Sequence, residues 1–344
     1  MMPVFSIVIP TRNGERYIGA ALESVLGQSY PDFRVFVLES GSTDNTSDIV
    51  RSFQDPRILL LSSAENLGIE ENWKRILTLD LDPYLTILGH DDLLYPNFLA
   101  ETLRLIETSP EASLYTTHFN LIDDQDRVVR SCRPIPCRET ADDFLLNVHR
   151  TKRDSFATGY VMRSKDFRQV DGFPPFAKLM FADHLTWYRL AGLSFKVCSP
   201  THAFAFRFHG ESTSHLAGPM ILYCAATDYL KALQENGHLE SPENRSAAKT
   251  YVERYFNGQY HRLLARLIEH SDPGARQRYL EVKTHILSEH AREPLFTVYD
   301  MPSRFYEFVA FRTHSYPRQW LSRLIRAVRR VREERQHRAY RRGA

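Results

Sequence analysis

Over about the first ninety residues, short apolar runs alternate with polar loops and stripes at helical spacing. Phe5-Ser6-Ile7-Val8-Ile9-Pro10 reads as a buried strand, and Thr11-Arg12-Asn13-Gly14 as the loop that leaves it. From Glu15 to Gly27, Tyr17, Ile18, Ala21, Leu22, Val25 and Leu26 fall on one helical face, with Gly27 as the stop. Arg34 to Glu39 predicts a second strand, closed by Glu39-Ser40-Gly41-Ser42-Thr43-Asp44-Asn45-Thr46. Gly41 suits a tight turn there, and Thr43 or Asp44 suits the cap of a helix running to Phe53. Ile58 to Leu61 predicts a third strand. Asn66-Leu67-Gly68 opens a helix carrying Trp73, Ile76 and Leu77, and Leu85 to Leu88 is the fourth strand.

Repeated strand, loop and helix predict a parallel α/β sheet with right-handed crossovers, which gathers the functional loops on one edge. Beyond a helix from Asn97 to Glu107, strands are expected at Leu114–Phe119, Arg127–Val129, Phe156–Met162, Phe195–Val197 and Ala203–Phe208. Asp123-Asp124-Gln125-Asp126 reads as a hairpin turn, Arg133 to Glu139 as a loop, and the stretch with Asp183, Leu185, Trp187, Tyr188 and Leu190 as an amphipathic helix. From Pro219 onward the pattern is helical only. The expected organisation is a catalytic domain at 1–215, with halves 1–110 and 111–215, a helical extension at 216–317 and a tail helix at 318–344.

Composition changes this picture little. The chain has 344 residues and a net charge of +2. It has no apolar run near the roughly 18 residues of a membrane span and no signal-peptide pattern, so the expected location is the cytoplasm. Cys132, Cys137, Cys198 and Cys224 lack zinc-type pairing and read as reduced thiols. Charge is unevenly placed: from Arg318 onward, ten arginines against Glu333 and Glu334 make the tail +8 and leave −6 for the rest.

Chemistry concentrates where the fourth strand stops on Gly89-His90-Asp91-Asp92. In an open α/β sheet, ligands bind outside the carboxyl ends of the strands. Adjacent carboxylates at that edge suit an oxygen-ligated Mg²⁺ or Mn²⁺ held together with substrate phosphates, or else a helix cap. No GxGxxG follows the first strand and there is no GxxxxGK[ST], which argues against a dinucleotide oxidoreductase and a P-loop phosphotransferase.

Taken in order, these segments resemble the inverting glycosyltransferases of family 2, which have the GT-A fold, a Rossmann-like mixed sheet flanked by helices, and use nucleotide-sugar donors. The resemblance runs from Phe5 to about Ser214. Ser6 to Asn13 is similar to the family's first strand and nucleotide loop, Glu39 to Asp44 to its "DDGSTD" element, and Asn66-Leu67-Gly68 to its "NxG". Gly89 to Asp92 stands at the "DxDD" metal motif, Gly172-Phe173 at the "GGF" turn, Ala182-Asp183 at the "ED" pair and Arg207-Phe208-His209 at the "RxH". The resemblance implies Asp183 as the catalytic base and Asp91, Asp92 and His209 as ligands of Mn²⁺ or Mg²⁺. It implies Pro10, Thr11, Asn13, Glu15, Glu39, Asn66, Asp91 and Arg207 as donor-binding residues, with Asn72 a weaker candidate and His90 only lining the site. Gly89 replaces the motif's first Asp, Ala182 the usual Glu, and Glu39 the usual Asp. The first two departures keep a second class open, a non-catalytic sugar-nucleotide or glycan-binding protein on a degenerate GT-A scaffold.

The expected activity is transfer of a sugar to an acceptor hydroxyl in bacterial surface polysaccharide or lipid-linked glycan synthesis. Loops Arg133–Asp143 and Pro174–Phe181 are the candidate acceptor contacts. In the tail, Trp320, Leu321, Leu324, Ile325, Val328 and Val331 form an apolar stripe among arginines, suited to an anionic membrane surface. Packing on the acidic body or on a second copy of the chain is the alternative. Nucleic acid is disfavoured because Trp320 and Tyr340 are the tail's only base-stacking aromatics.

Overall fold

The computed structural model describes residues 5–209, 218–269, 275–292 and 295–296. The tail expected at 318–344 lies outside the described residues. The chain divides into two compact units, Met1–His215 and Leu216–Ala344.

The first unit is built on one mixed sheet of order β3-β2-β1-β4-β9-β6-β10-β5, with β7 added to β6 and β8 to β10. Strand β1 (Phe5–Thr11) is buried along its whole length, as an apolar run between two parallel neighbours must be. It pairs with β2 (Phe33–Ser40) and β4 (Tyr84–Ile87), and β3 (Ile58–Ser63) lies beyond β2, all parallel. Helix α1 (Ile18–Leu26) buries Ile18, Ala21, Leu22 and Val25, the stripe read from the sequence. Helix α2 spans Thr46–Ser52 and α3 Ile69–Lys74. The first half is therefore the parallel wind that the sequence predicts.

The second half turns mixed. Strand β9 (Tyr160–Arg163) is inserted antiparallel between β4 and β6 (Leu114–Ile122). The expected strands at 195–197 and 203–208 are one strand, β10 (Lys196–Arg207), parallel to β6, with register shifts on both sides of His202. Pro200 marks the interruption, since it cannot donate to a ladder. The strand expected from Phe156 starts only at Tyr160, because Gly159 at φ 85° breaks the extended run; a Cβ there would fall 2.1 Å from the Phe204 ring, which requires glycine. Leu93–Leu94 (β5), between the carboxylates and Pro96, pairs antiparallel with Phe204 and Ala205, and helix α4 follows at Phe98–Thr108.

Strand β7 is Val128–Ser131, and the expected loop at 133–139 ends in β8 (Arg138–Glu139). Helices α5 (Ala141–His149) and α6 (Ser164–Gln169) are additions to the elements expected from the sequence. The Thr140 hydroxyl caps α5 by accepting the Asp143 N–H. Helix α7 is Ala182–Gly192. All four cysteines are free thiols.

The second unit is helical in its described residues, with helices Pro219–Glu235, Pro242–Glu269 and Ala275–Arg292. Tyr223, Phe256 and Phe296 form an aromatic cluster with ring centroids 5.2–6.0 Å apart. Among the described residues, no helix is long and apolar enough to cross a membrane.

Candidate functional site

The sheet sets the site by where its strands stop. Strand β4 runs out at Ile87, Leu88 still donates its N–H to the Val8 carbonyl, and the chain turns at Gly89 through an Asp92 N–H bond to the Gly89 carbonyl. Pairing of β5 with β10 then brings residues 207–209 back over the turn. Residues more than a hundred positions apart meet there: Asp91 Oδ2 lies 2.7 Å from His209 Nε2.

The two neighbouring carboxylates have different surroundings. Asp92 is 2% exposed. Its Oδ1 accepts the Arg207 N–H at 2.9 Å and its Oδ2 accepts the Thr158 hydroxyl at 2.5 Å. Burial, followed by the charge of Asp91, pushes the Asp92 carboxyl well above the usual carboxylate range. Asp91 is drawn down instead. Burial opposes this, but the hydrogen bond from His209 and the charges of His90 and His209 outweigh it. One carboxyl thus holds the turn, and the other, half-buried at the edge, is biased toward its charged form.

Thr158, which no motif marks, supports both strands of this turn. Its hydroxyl oxygen accepts the Gly89 N–H at 2.9 Å while the hydroxyl donates to Asp92. Gly89 itself has no room for a side chain: a Cβ would sit 2.7 Å from Asp92 Oδ2 and 2.8 Å from Asp91 Oδ1. The glycine in place of the motif's first Asp is therefore matched to the packing of the two carboxylates behind it.

Arg207 does not present a free cation. Its side chain is 1% exposed; Nε donates to the Asp91 carbonyl at 2.6 Å and Nη1 to the Asp123 carbonyl at 3.0 Å. The same Nη1 pairs with Asp126, and the guanidinium covers the Tyr17 ring at 4.7 Å. It fastens the Asp91–Asp92 turn to the 123–126 hairpin.

The end of β1 opens on the same edge. Thr11 Oγ1 is buried with no hydrogen-bond partner, an unsatisfied group that calls for explanation. A Cβ on Gly14 would meet Thr11 Oγ1 at 2.7 Å and His90 Cδ2 at 2.8 Å, so Thr11, Gly14 and His90 converge. Pro10 aligns with Leu38 in the parallel register and Thr11 with Glu39. Asn13, at φ 50°, accepts the Thr43 N–H through Oδ1 and donates its own N–H to Ser42. Glu15 Oε2 accepts from the Asn45 backbone and side chain. These two residues lace the first loop to the second. Buried Glu39 accepts the Ser42 N–H at 2.5 Å. Asn66 is exposed, with its backbone against Gly41, and Asn72 is buried, donating to the Leu38 carbonyl and accepting from Arg75.

Asp183 stands in the first turn of α7, half-buried, its Oδ1 accepting the His184 N–H at 2.9 Å. The helix is tied to the same segment that carries Thr158: Trp187 Nε1 donates to the Phe156 carbonyl at 3.0 Å and its ring stacks on Tyr160 at 4.6 Å. Phe173, in the Gly172-Phe173 turn, packs edge-on against Trp73 and Trp187, and the Thr186 hydroxyl donates to the Gly172 carbonyl. The approach to Asp183 is strained: Lys178, Leu179 and Phe181 all have φ between 53° and 65°. Such backbone persists where the surroundings over-determine it, commonly at functional sites.

Comparison with known proteins places this architecture. The crystal structure of residues 1–349 of TarS from S. aureus in complex with UDP-GlcNAc is similar with a TM-score of 0.54 at 16% identity, covering 85% of this chain and 92% of that one. The mannosyltransferase PcManGT from Pyrobaculum calidifontis in complex with GDP-Man and Mn²⁺ is similar with a TM-score of 0.50 at 16% identity, covering 86% and 82%. At this identity the likeness is one of fold, and it defines a GT-A glycosyltransferase scaffold. Residues 6–164, a little under half of the chain, match Glycosyl transferase family 2.

Among curated relatives, an uncharacterized glycosyltransferase of Rickettsia prowazekii (strain Madrid E) is 30% identical over 139 residues, 38% of this chain and 41% of that protein. The glycosyltransferase GlyG of Streptococcus pneumoniae serotype 4 is 27% identical over 128 residues, 37% of this chain and 42% of that protein. The match thus spans about two fifths of these relatives' length.

Proposed function

We propose that this protein is a metal-dependent, inverting glycosyltransferase that moves a sugar from a nucleoside diphosphate sugar to an acceptor hydroxyl. The observation that carries the reading is the Asp91 side chain 2.7 Å from His209 at the strand edge, with the partnerless Thr11 hydroxyl at the end of the neighbouring strand. Donor-bound structural neighbours of the same fold support it: TarS holds UDP-GlcNAc and the mannosyltransferase holds GDP-Man with Mn²⁺.

The donor set fits a divalent ion. Asp91 offers a carboxylate and His209 an imidazole, whose Nδ1 is buried with no hydrogen-bond partner. Oxygen and imidazole ligands together suit Mn²⁺ or Mg²⁺ held with substrate phosphates. When bound, the ion supplies Lewis-acid neutralisation of the charge that builds on the departing diphosphate. Asp92, with both oxygens engaged, acts here as a positioning residue, and Arg207 holds the turn rather than the phosphates. Thr11 and Glu39 face the ribose and base, with Pro10 shaping the strand end. Asn13, Glu15 and Asn66 fix the loops that bound the donor.

Asp183 takes the proton of the acceptor hydroxyl as that oxygen attacks the anomeric carbon. Attack opposite the leaving group inverts the anomeric centre in one step. Residues 1–110 then form the donor half and 111–215 the acceptor half, in a protein acting at the inner face of a bacterial membrane on a surface-glycan or lipid-linked acceptor. The test is nucleoside diphosphate release from a panel of UDP-, GDP- and dTDP-sugars with Mn²⁺, with product stereochemistry read by NMR. Release from one donor, lowered about 10²–10⁴-fold by Asp183→Ala, is the expected result. Unaltered release by Asp183→Ala, or a retained anomeric configuration, overturns the assignment of the base.

A further inference from the structure

Strand β6 carries a second convergence, on neighbours other than those of the site above. His118 lies in β6; its cross-strand partner in β10 is His202, and Cys132 follows directly on β7. On the other edge of β6 the ladder continues past β7, where the Cys132 N–H donates to the Phe119 carbonyl at 2.8 Å and Cys132 Sγ accepts the Phe119 N–H at 3.4 Å. Three adjacent chain segments thus each bring one metal-binding side chain to one place. One ligand atom from each of His118, Cys132 and His202 lies within 4.8 Å of the others.

The local backbone accounts for the convergence. Register shifts flank His202 on both sides, between Ser199 and His202 and between His202 and Phe204, so this one residue is re-aimed within an otherwise regular pairing. The two imidazoles meet edge to face with centroids 5.5 Å apart. His118 Nε2 lies 3.3 Å from the Ile135 carbonyl oxygen. The Ile135 N–H meets the same Nε2 at 3.3 Å, so the Ile135 backbone fixes the orientation of the ring, and the tautomer follows from which of the two groups Nε2 bonds. Cys132 is buried, His118 half-buried and His202 exposed, so an ion has a path in from solvent.

We infer that His118, Cys132 and His202 form a binding site for a borderline-soft transition metal ion, with Zn²⁺ the fitting occupant. One thiolate and two imidazoles suit Zn²⁺ and suit Mg²⁺ poorly, which separates this site from the oxygen-rich edge at Asp91. A tetrahedral Zn²⁺ holds its ligands roughly 3.3–3.8 Å apart, given bonds of about 2.0–2.3 Å. With all three ligand atoms within 4.8 Å of one another, a closure of at most about 1.5 Å brings them to that spacing. On binding, Cys132 Sγ forms the metal–sulfur bond and its proton passes to solvent. Water fills the fourth position. The ion fastens the start of the 132–137 segment, whose end is held where the Cys198 N–H donates to the Cys137 carbonyl. That segment forms the first part of the Arg133–Asp143 loop expected to contact the acceptor.

The experiment loads the chelator-stripped full-length protein with Co²⁺ and then displaces it with Zn²⁺, against a chromophoric chelator. Expected is a thiolate-to-Co²⁺ charge-transfer band in the near ultraviolet, lost on adding one equivalent of Zn²⁺. The band persists in Asp91→Ala, whose change lies at the other site. Cys132→Ser abolishes it, and His202→Ala, a change at an exposed position that leaves the core intact, weakens Zn²⁺ binding by at least tenfold. Absence of a thiolate band in the folded wild-type protein overturns the inference, as does Zn²⁺ affinity unchanged in His202→Ala.

Discussion

Gly89 is the position where sequence pattern and packing make opposite predictions, and Gly89→Asp separates them. If the glycine were the scar of a lost donor contact, restoring the motif's first Asp would raise nucleotide affinity. The packing says otherwise. A Cβ would lie 2.7 and 2.8 Å from the two carboxylates, against the 3.4–4 Å of ordinary contact, so both must retreat by more than half an ångström. The backbone is not the obstacle, since Gly89 is absent from the positive-φ glycines.

Overpacking of this kind costs about 1–3 kcal/mol. Of the two carboxylates, Asp92 is the one held by Thr158 and Arg207, and weakening a hydrogen bond there adds about 0.5–1.5 kcal/mol. A third carboxylate beside Asp91 and Asp92 adds repulsion. The expected loss is about 2–4 kcal/mol of stability, read as a lower urea midpoint at unchanged slope. Displacing Asp91 on this scale lowers turnover by about 10²-fold. Gly89→Ala should share most of the stability loss, because the clash begins at Cβ. A Gly89→Asp protein with wild-type stability and tighter nucleotide binding would refute the packing argument.

Thr158→Val removes the hydroxyl that serves both Gly89 and Asp92 while keeping side-chain volume. It should cost about 1–3 kcal/mol in urea unfolding and weaken nucleotide binding, with Thr158→Ser restoring both. Glu139 is buried between Lys196 at 2.6 Å and Arg153 at 2.7 Å, with side chains 2%, 1% and 9% exposed. Glu139→Leu strands two buried cations and should cost about 3–5 kcal/mol, whereas a loss under about 1 kcal/mol would show that water reaches the cluster. Asp154 accepts from both Arg130 Nη atoms at 2.8 Å and from Arg133. Burial would raise its pKa, but the Arg130 bonds and the Arg133 backbone N–H outweigh it and lower it. A depressed carboxylate stabilises the fold above its unfolded pKa of about 3.9 and loses that contribution as pH falls through the folded value. Asp154→Asn should therefore flatten the acid limb of the stability–pH curve, and an unaltered limb would count against the pairing.

Much of the fold is legible in the chain because the first half obeys a single period. Its inner strands are buried on both faces, so Phe5–Pro10 and Leu85–Leu88 stand out as apolar runs, and α1 carries a regular stripe. Where tertiary contacts decide, the pattern falls silent. Leu93–Leu94 is too short to show any period and becomes a strand only by meeting β10. Pro200 splits one strand into two apparent runs, and Gly159 delays another by its positive φ. Helix α6 has six residues, fewer than two turns, while α5 carried a readable signal in Thr140 followed by Asp143.

The site divides in the same way. The nearness of Asp91 and His209 is foreshadowed only by the family resemblance, since nothing local links positions 118 residues apart. Asp92 looks like Asp91 in sequence, and only the Thr158 and Arg207 partners tell them apart. Arg207 reads as a donor contact in the sequence, where its carbonyl partners leave no sign. Thr158 belongs to no motif and owes its role to the position of β9 beside β4. The His118, Cys132 and His202 cluster is likewise invisible along the chain, because three strands must first lie side by side.

The central claim is that Asp91 anchors a nucleoside diphosphate through a divalent ion. Calorimetric titration of UDP, GDP and dTDP into the full-length protein, with and without Mn²⁺, tests it most directly when repeated on Asp91→Ala. The account predicts that one nucleotide binds, that Mn²⁺ is required, and that Asp91→Ala abolishes the binding while remaining folded. Binding that is indifferent to both Mn²⁺ and Asp91→Ala would contradict it, and binding of no nucleotide under any condition would leave the scaffold as a non-catalytic one.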